Sequence, residues 1–237
     1  MLKPGWRSSE GNRTIYSRRI SIPAGKKRAV ARDTKGRLSR RDSRPFIILG
    51  IDPGLRSTGF AAAEVDKDAG AIVRVLQIGT IKTEPYAART VRKTSDHLRR
   101  AREQASAILN LIQRHNVSVI AFELSTVTPY THPTFSFGVM TGIVATLERP
   151  IIQVLPHEVK LAASGNSRAT KRDIIAWALA KTEGDNLSWP TSARANSLRL
   201  SYLGRNVTTA AEHPADALAA IEAALATEEF RVAVQMA

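Results

Sequence analysis

The sequence predicts an α/β fold: a mixed sheet, part antiparallel meander and part parallel strands, flanked by helices. Three observations carry that expectation. The apolar run from Phe46 ends on Asp52, turns at Pro53-Gly54 and is answered by a second run, Phe60 to Val65, the pattern of a hairpin. A third run, 72–81, extends this into a meander. A helical pattern then separates these strands from the apolar run Val117 to Phe122, and strand, helix, strand is the signature of parallel pairing.

With 237 residues the chain can bury a full core, as one domain with an appendage. It holds no cysteine, which excludes disulfides, zinc–thiolate sites and thiol catalysis. No apolar run approaches the roughly 18 residues needed to cross a bilayer, so no membrane partner is expected.

The formal charge of +14 is unevenly spread. Residues 1–45 carry 14 of the 35 Lys and Arg but only three of the 21 acids, Glu10, Asp33 and Asp42, leaving 21 bases against 18 acids in 46–237. The expected division is therefore a basic arm, 1–45, disordered by itself because it has few apolar residues and no periodicity, and a folded domain, 46–237. A flexible cationic arm suits nucleic acid. An acid-poor, Arg- and Ser-bearing N-terminus is also that of an organelle transit peptide, or of translation from an upstream start. An organelle is accordingly one expected destination.

Taken in order, Phe46 to Asp52 reads as a strand buried on both faces that delivers one carboxylate at its end. From about Arg89 to His115 the residues Leu98, Ala101, Ala105, Ile108 and Ile112 have amphipathic helical spacing, and the arginines crowding its first half read as a solvated face. Val117 to Phe122 is a buried strand finishing on Glu123, which brings Glu123 and Asp52 to the carboxyl ends of neighbouring parallel strands, the edge where α/β sheets bind ligands. Residues 124–136 read as a Ser-, Thr- and Pro-rich loop with Tyr130, Phe135 and, beside it, Phe137 interleaved. Phe137 to Leu147 reads as an apolar helix whose Gly138 and Gly142 allow close approach of another helix, from this chain or a second copy.

Ile151 to Leu155 is a further strand and Pro156 to Ala163 a short helix carrying Lys160. The small-residue loop from Ser164 then enters a helix capped by Thr170, and Arg168, Lys171 and Arg172 with free amides at that start make an anion site suited to a nucleic-acid phosphate. Residues 184–209 show no periodicity and stay unassigned. The alanine-rich run from Glu212 is a helix with Pro214 in its first turn, and His213 and Asp216, three apart, share one side of it. Asp52, Glu123 and Asp216 converging would repel one another unless a cation sat among them, and oxygen donors favour Mg²⁺, with Mn²⁺ able to substitute. His213 serves as a ligand or as the base that orients water.

The stretches Ile48-Leu49-Gly50-Ile51-Asp52-Pro53-Gly54-Leu55-Arg56-Ser57-Thr58-Gly59, Ile120-Ala121-Phe122-Glu123, the Lys171 segment and His213-Pro214-Ala215-Asp216-Ala217-Leu218-Ala219 together resemble the RuvC family of Holliday-junction resolvases, of RNase H-like fold. The resemblance implies that Asp52, Glu123 and Asp216 hold metal ions, with His213 standing where the family has Asp or His. Lys160 and Lys171 are similar to the family's basic residues near the scissile phosphate. It further implies a homodimer that nicks opposing strands of a four-way DNA junction symmetrically, at work in the bacterial cytoplasm and nucleoid or in the cytoplasm of a phage-infected cell, with organelle import as the alternative. In the family an aromatic that helps open the junction follows the glutamate; here Thr126 and Val127 stand there, leaving Tyr130, Phe135 or Phe137 as substitutes. The alternatives are an RNase H-like nuclease acting on RNA or flapped DNA, an actin-like or sugar-kinase ATPase suggested by Gly50-Ile51-Asp52-Pro53-Gly54, and a non-catalytic junction binder.

Overall fold

The strand β1 (Phe46–Asp52) is buried on both faces, as its unbroken apolar run predicts. In the computed structural model of the chain, which describes residues 44–86, 91–123, 131–194 and 196–236 and only the backbone of 131–133, β1 is the middle of a five-stranded sheet. The order is β3-β2-β1-β4-β5. β2 (Ser57–Asp66) and β3 (Ala71–Lys82) pair antiparallel to complete the meander, while β4 (Val119–Glu123) runs parallel to β1 and β5 (Ile151–Val154) parallel to β4. This is the mixed sheet the sequence predicts. All but the last two residues of the basic arm fall outside the described residues, as do Arg89, Thr126, Val127 and Tyr130.

Side-chain alternation along the strands sets which face holds the site. On β1 and β4 the residues Ile47, Leu49, Ile51, Ile120 and Phe122 join the core under α1 (Lys93–His115) and α2 (Thr131–Ala145). Phe46, Ile48, Val119 and Ala121 join the core on the other side, with α3 (Pro156–Ser164), α4 (Lys171–Lys181), α5 (Glu212–Leu225) and α6 (Glu228–Met236). By the same parity Asp52 and Glu123 belong to the α5 side.

α5 reaches that face because two strand residues have no side chain. A Cβ on Gly50 would stand 2.0 Å from the Ala217 carbonyl oxygen, and one on Gly59 would stand 2.1 Å from the His213 carbonyl oxygen. The alanines of α5 complete the fit: Ala215, Ala217, Ala219, Ala220 and Ala224 are fully buried. Small residues on both partners let helix and sheet backbones close to near contact, so the first turn of α5 lies over the ends of β1 and β2.

Two elements depart from the sequence expectation. In the first half of α1 the buried residues are Asp96, Arg100 and Gln104, whereas Leu98 is 55% exposed and Ala101 and Ala105 are half-buried. Apolar spacing misplaces this face because the sheet edge beneath it presents hydrogen-bonding groups: Arg100 Nε donates to Thr83 Oγ1 (3.0 Å) and Gln104 Nε2 to the carbonyls of Leu55 and Ile81 (both 3.3 Å). Arg100 is therefore inside, not on a solvated face. α2 begins at Thr131, six residues before the predicted start, because Pro133 sits in its first turn, where a missing N–H costs no helical bond.

The unassigned segment 184–209 forms a small antiparallel sheet of order β6-β8-β7, from β6 (Thr191–Ser192), β7 (Ser201–Tyr202) and β8 (Arg205–Val207). Strands of two or three residues carry no periodicity to read. α6, also missed, is capped by Thr227, whose Oγ1 accepts from the Phe230 amide (3.2 Å), and its Phe230 ring meets Phe46 edge-on at 6.1 Å.

Candidate active site

The parallel register pairs Ile51 with Phe122, so the next residue of each strand, Asp52 and Glu123, stand side by side at the sheet's carboxyl edge. On the other side of β1, Asp52 pairs with Gly59, the residue that lets α5 approach. α5 delivers His213, whose Nδ1 lies 2.8 Å from Asp52 Oδ2, and one turn later Asp216. That hydrogen bond raises the His213 pKa above its ordinary value, with burial opposing, and the carboxylate can only accept, so Nδ1–H donates to Asp52.

The electrostatics mark a surplus of negative charge. Burial, and then the charges of Asp52 and Asp216, push the Glu123 pKa up to about 8, with Lys160 opposing. Asp216 is pushed up to about 7 by burial and then by Asp52 and Glu212, with His213 and Lys171 opposing. Lys171 forms an ion pair with Glu212, which raises its own pKa. Glu212 is a participant that the sequence pattern does not single out; its place beside His213 in the first turn of α5 is the available signal.

Of the other predicted site residues, Lys160 stands close enough to favour the charged form of Glu123. Arg168 and Arg172 are exposed, and Arg172 Nε donates to the Leu198 carbonyl (2.8 Å). Phe137 stacks on Phe122 with centroids 6.4 Å apart, whereas Phe135 is 44% exposed beside His97. Thr170 caps α4 as expected, its Oγ1 accepting from the Asp173 amide.

A polar latch that periodicity cannot find fixes the turn after Asp52. Gln104 is fully buried and holds the Leu55 carbonyl from α1; Thr83 Oγ1 donates to the same oxygen at 2.5 Å and accepts from Arg100. From the other side the Leu55 amide donates to Ser136 Oγ of α2 (2.9 Å). Gln104→Leu is expected to lower stability by about 0.5–1.5 kcal/mol by removing the amide donor to the Leu55 and Ile81 carbonyls while Thr83 still holds the Leu55 oxygen, and urea unfolding measures it. Stability equal to the parent would show the latch to be idle.

Among the described residues no three His, Asp or Glu side chains stand at ligating distance of one point. The donor chemistry nonetheless fits a hard divalent cation: three carboxylates and an imidazole, two of the carboxyls holding protons toward neutral pH because burial, and then neighbouring acidic charge, pushes them up. A cation would take the place of those protons.

The family model described as crossover junction endodeoxyribonuclease RuvC matches residues 48–180. The chain belongs to the RuvC family. The RuvC of Corynebacterium diphtheriae is 30% identical over 132 residues, covering 54% of this chain and 75% of that protein, and the RuvC of Salinibacter ruber is 31% identical over 135, covering 54% and 68%. The fold is that of Thermus thermophilus RuvC solved with Holliday junction substrate, at a TM-score of 0.53 and 20% identity over 75% of this chain and 92% of that one. Asp52, Glu123, Lys160 and Lys171 lie within the RuvC match; His213 and Asp216 lie beyond it and rest on the geometry of α5.

Proposed function

We propose that the chain is a metal-dependent, structure-selective endonuclease that resolves four-way DNA junctions by paired symmetric nicks. The observation that carries this reading is the joining of Asp52, Glu123 and Asp216 from β1, β4 and α5 into one site that keeps protons near neutral pH. The names of the RuvC relatives, crossover junction endodeoxyribonuclease, support the substrate.

Asp52, Glu123 and Asp216, with His213, would hold Mg²⁺, for which Mn²⁺ can substitute; when bound, it supplies activation of water and charge stabilisation at the phosphate. Asp52 orients the His213 ring through Nδ1, so Nε2 is the ring atom that would serve a metal or water. Lys160 and Lys171 place ammonium charge at the rim, where an incoming phosphodiester needs it. The basic residues of 1–45 are assigned to the same DNA.

Symmetric nicking calls for two copies. α2 is apolar on its outer side, and a Cβ on Gly138 or Gly142 would meet no atom within 4 Å, so no helix of this chain among the described residues uses that close-approach face. We assign it to a second copy, in a homodimer.

The test is Mg²⁺-dependent cleavage of a synthetic four-way junction beside a duplex, a flap and an RNA–DNA hybrid, with Asp52→Asn as control. The expected result is paired symmetric nicks on the junction alone, lost in the variant. Equal cleavage of flap or hybrid would keep the metal site and overturn junction selectivity.

A further inference from the structure

From Asn186 to Ala211 the chain carries Arg194, Arg199 and Arg205 and no aspartate, glutamate or lysine. A segment of this size with cations alone on its surface is not a neutral spacer. Nor is it loosely attached. Leu187, Trp189 and Val207 are buried in the α5-side core. Trp189 Nε1 donates to Thr182 Oγ1 (3.1 Å), the Tyr202 hydroxyl to the Leu187 carbonyl (3.1 Å) and Asn196 Nδ2 to the Val207 carbonyl (2.6 Å).

All three arginines are exposed, and none has an ion pair with another described residue. Arg199 holds a left-handed backbone, φ 52°, a conformation that costs a residue with a Cβ. The β7–β8 hairpin turns on Leu203 and Gly204, both at positive φ (48° and 74°), and Arg205 begins the returning strand.

The position of the segment gives the charge a direction. It leaves the end of α4 and returns into the first turn of α5, the turn that carries His213. Arg172 bonds the carbonyl of Leu198, next to Arg199, and Lys171 pairs with Glu212 beside His213. Lys171 and Arg172, at the start of α4, thus tie the carboxylate cluster on one side to the stretch that carries Arg199 on the other. Guanidinium forks suit phosphate oxygens, and a phosphodiester chain entering the cluster continues past it on both sides. Residues 186–208 lie outside the RuvC match.

We propose that residues 186–208 are a second phosphate-backbone clamp, in which Arg194, Arg199 and Arg205 grip the DNA strand or arm that runs past the carboxylate cluster. This rests on the nuclease reading above.

The experiment measures binding of a fluorescent four-way junction by the full-length chain at several salt concentrations, in a Glu123→Gln background that prevents cleavage. Each phosphate contact contributes a slope of about 0.9 to the salt dependence of log K. Adding Arg194→Ala, Arg199→Ala and Arg205→Ala is expected to flatten that slope by about 2 to 3 and to weaken binding about tenfold or more near 0.1 M salt. Replacing the same three by lysine should keep the slope. An alanine triple variant with the parent's slope and affinity overturns the clamp while leaving the nuclease reading intact. So does a triple variant that loses only binding to polyglutamate, which would mark an acidic protein as the partner. A parent that binds no DNA overturns the nuclease reading and the clamp together.

Discussion

Glu123→Gln is expected to reduce cleavage to background while making the metal-free protein more stable at pH 8. The folded protein holds the Glu123 proton up to about pH 8 against an ordinary 4.5, and that of Asp216 up to about 7 against 3.8. Between each pair of values the folded state binds more protons than the unfolded one, so stability falls as pH rises through the window. His213, raised by Asp52, acts with the same sign: its contribution is lost as pH rises through its folded pKa. The amide keeps the shape of Glu123 and removes its charge, relieving Asp216 as well. The gain at pH 8 is about 1–3 kcal/mol after allowance for partial exposure, several degrees in Tm for a chain of this size. Thermal unfolding in EDTA from pH 5 to 9 should show a falling curve for the parent and a flatter one for the variant, the two meeting at the acid end. Added Mg²⁺ should raise the parent's Tm at pH 8 more than the variant's. A Gln variant less stable than the parent at pH 8 in EDTA would mean that the cluster is not charge-strained, and the metal assignment would lose its physical support.

The parts of this site that could be read from sequence are those fixed by short-range pattern. Asp52 and Glu123 each terminate an apolar run that reads as a buried strand, and His213 and Asp216 sit three apart in a helix start marked by Pro214. Alternation along β1 and β4 then places both carboxylates on one face, where the structure puts α5. What pattern cannot carry is a contact between polar groups far apart in the chain. Asp96, Arg100 and Gln104 resemble the exposed residues of any amphipathic helix until Thr83, Leu55 and Ile81 are brought beneath them. Hydropathy weighs a side chain by its own polarity, whereas their burial is decided by partners elsewhere in the chain, 10 residues away for Asp96 and 17 to 49 for Arg100 and Gln104. The inserted sheet fails for another reason: its strands are too short for alternation, and its fold is held by Trp189, Leu187 and Val207 reaching a core built by other elements.

Gly59→Ala should be among the most damaging single-methyl changes in the chain. The new Cβ would fall 2.1 Å from the His213 carbonyl oxygen, 2.4 Å from its carbonyl carbon and 2.9 Å from its Cβ, and backbone cannot swing aside as a side-chain tip can. Either β2 bends or the first turn of α5 lifts. Gly59 is also the residue paired with Asp52, so both movements act on the 2.8 Å contact between Asp52 and His213 and on the reach of Asp216 toward Glu123. Overpacking of this kind costs about 1–3 kcal/mol, and a misplacement of about 1 Å at a reacting centre can cost about a hundredfold in rate. The expected result is a folded protein with a lowered urea midpoint and single-turnover junction cleavage slowed about a hundredfold or more. Gly79→Ala is the matched control: its Cβ would meet the Phe60 ring, 2.7 Å away, on a strand that carries none of the acids, so its cost should fall on stability while the rate holds. Parental cleavage by Gly59→Ala would show that the α5 turn does not set the geometry of the carboxylates. A lost rate beside parental Mg²⁺-induced stabilisation would place the damage in DNA alignment instead, on the Lys171 side of the site.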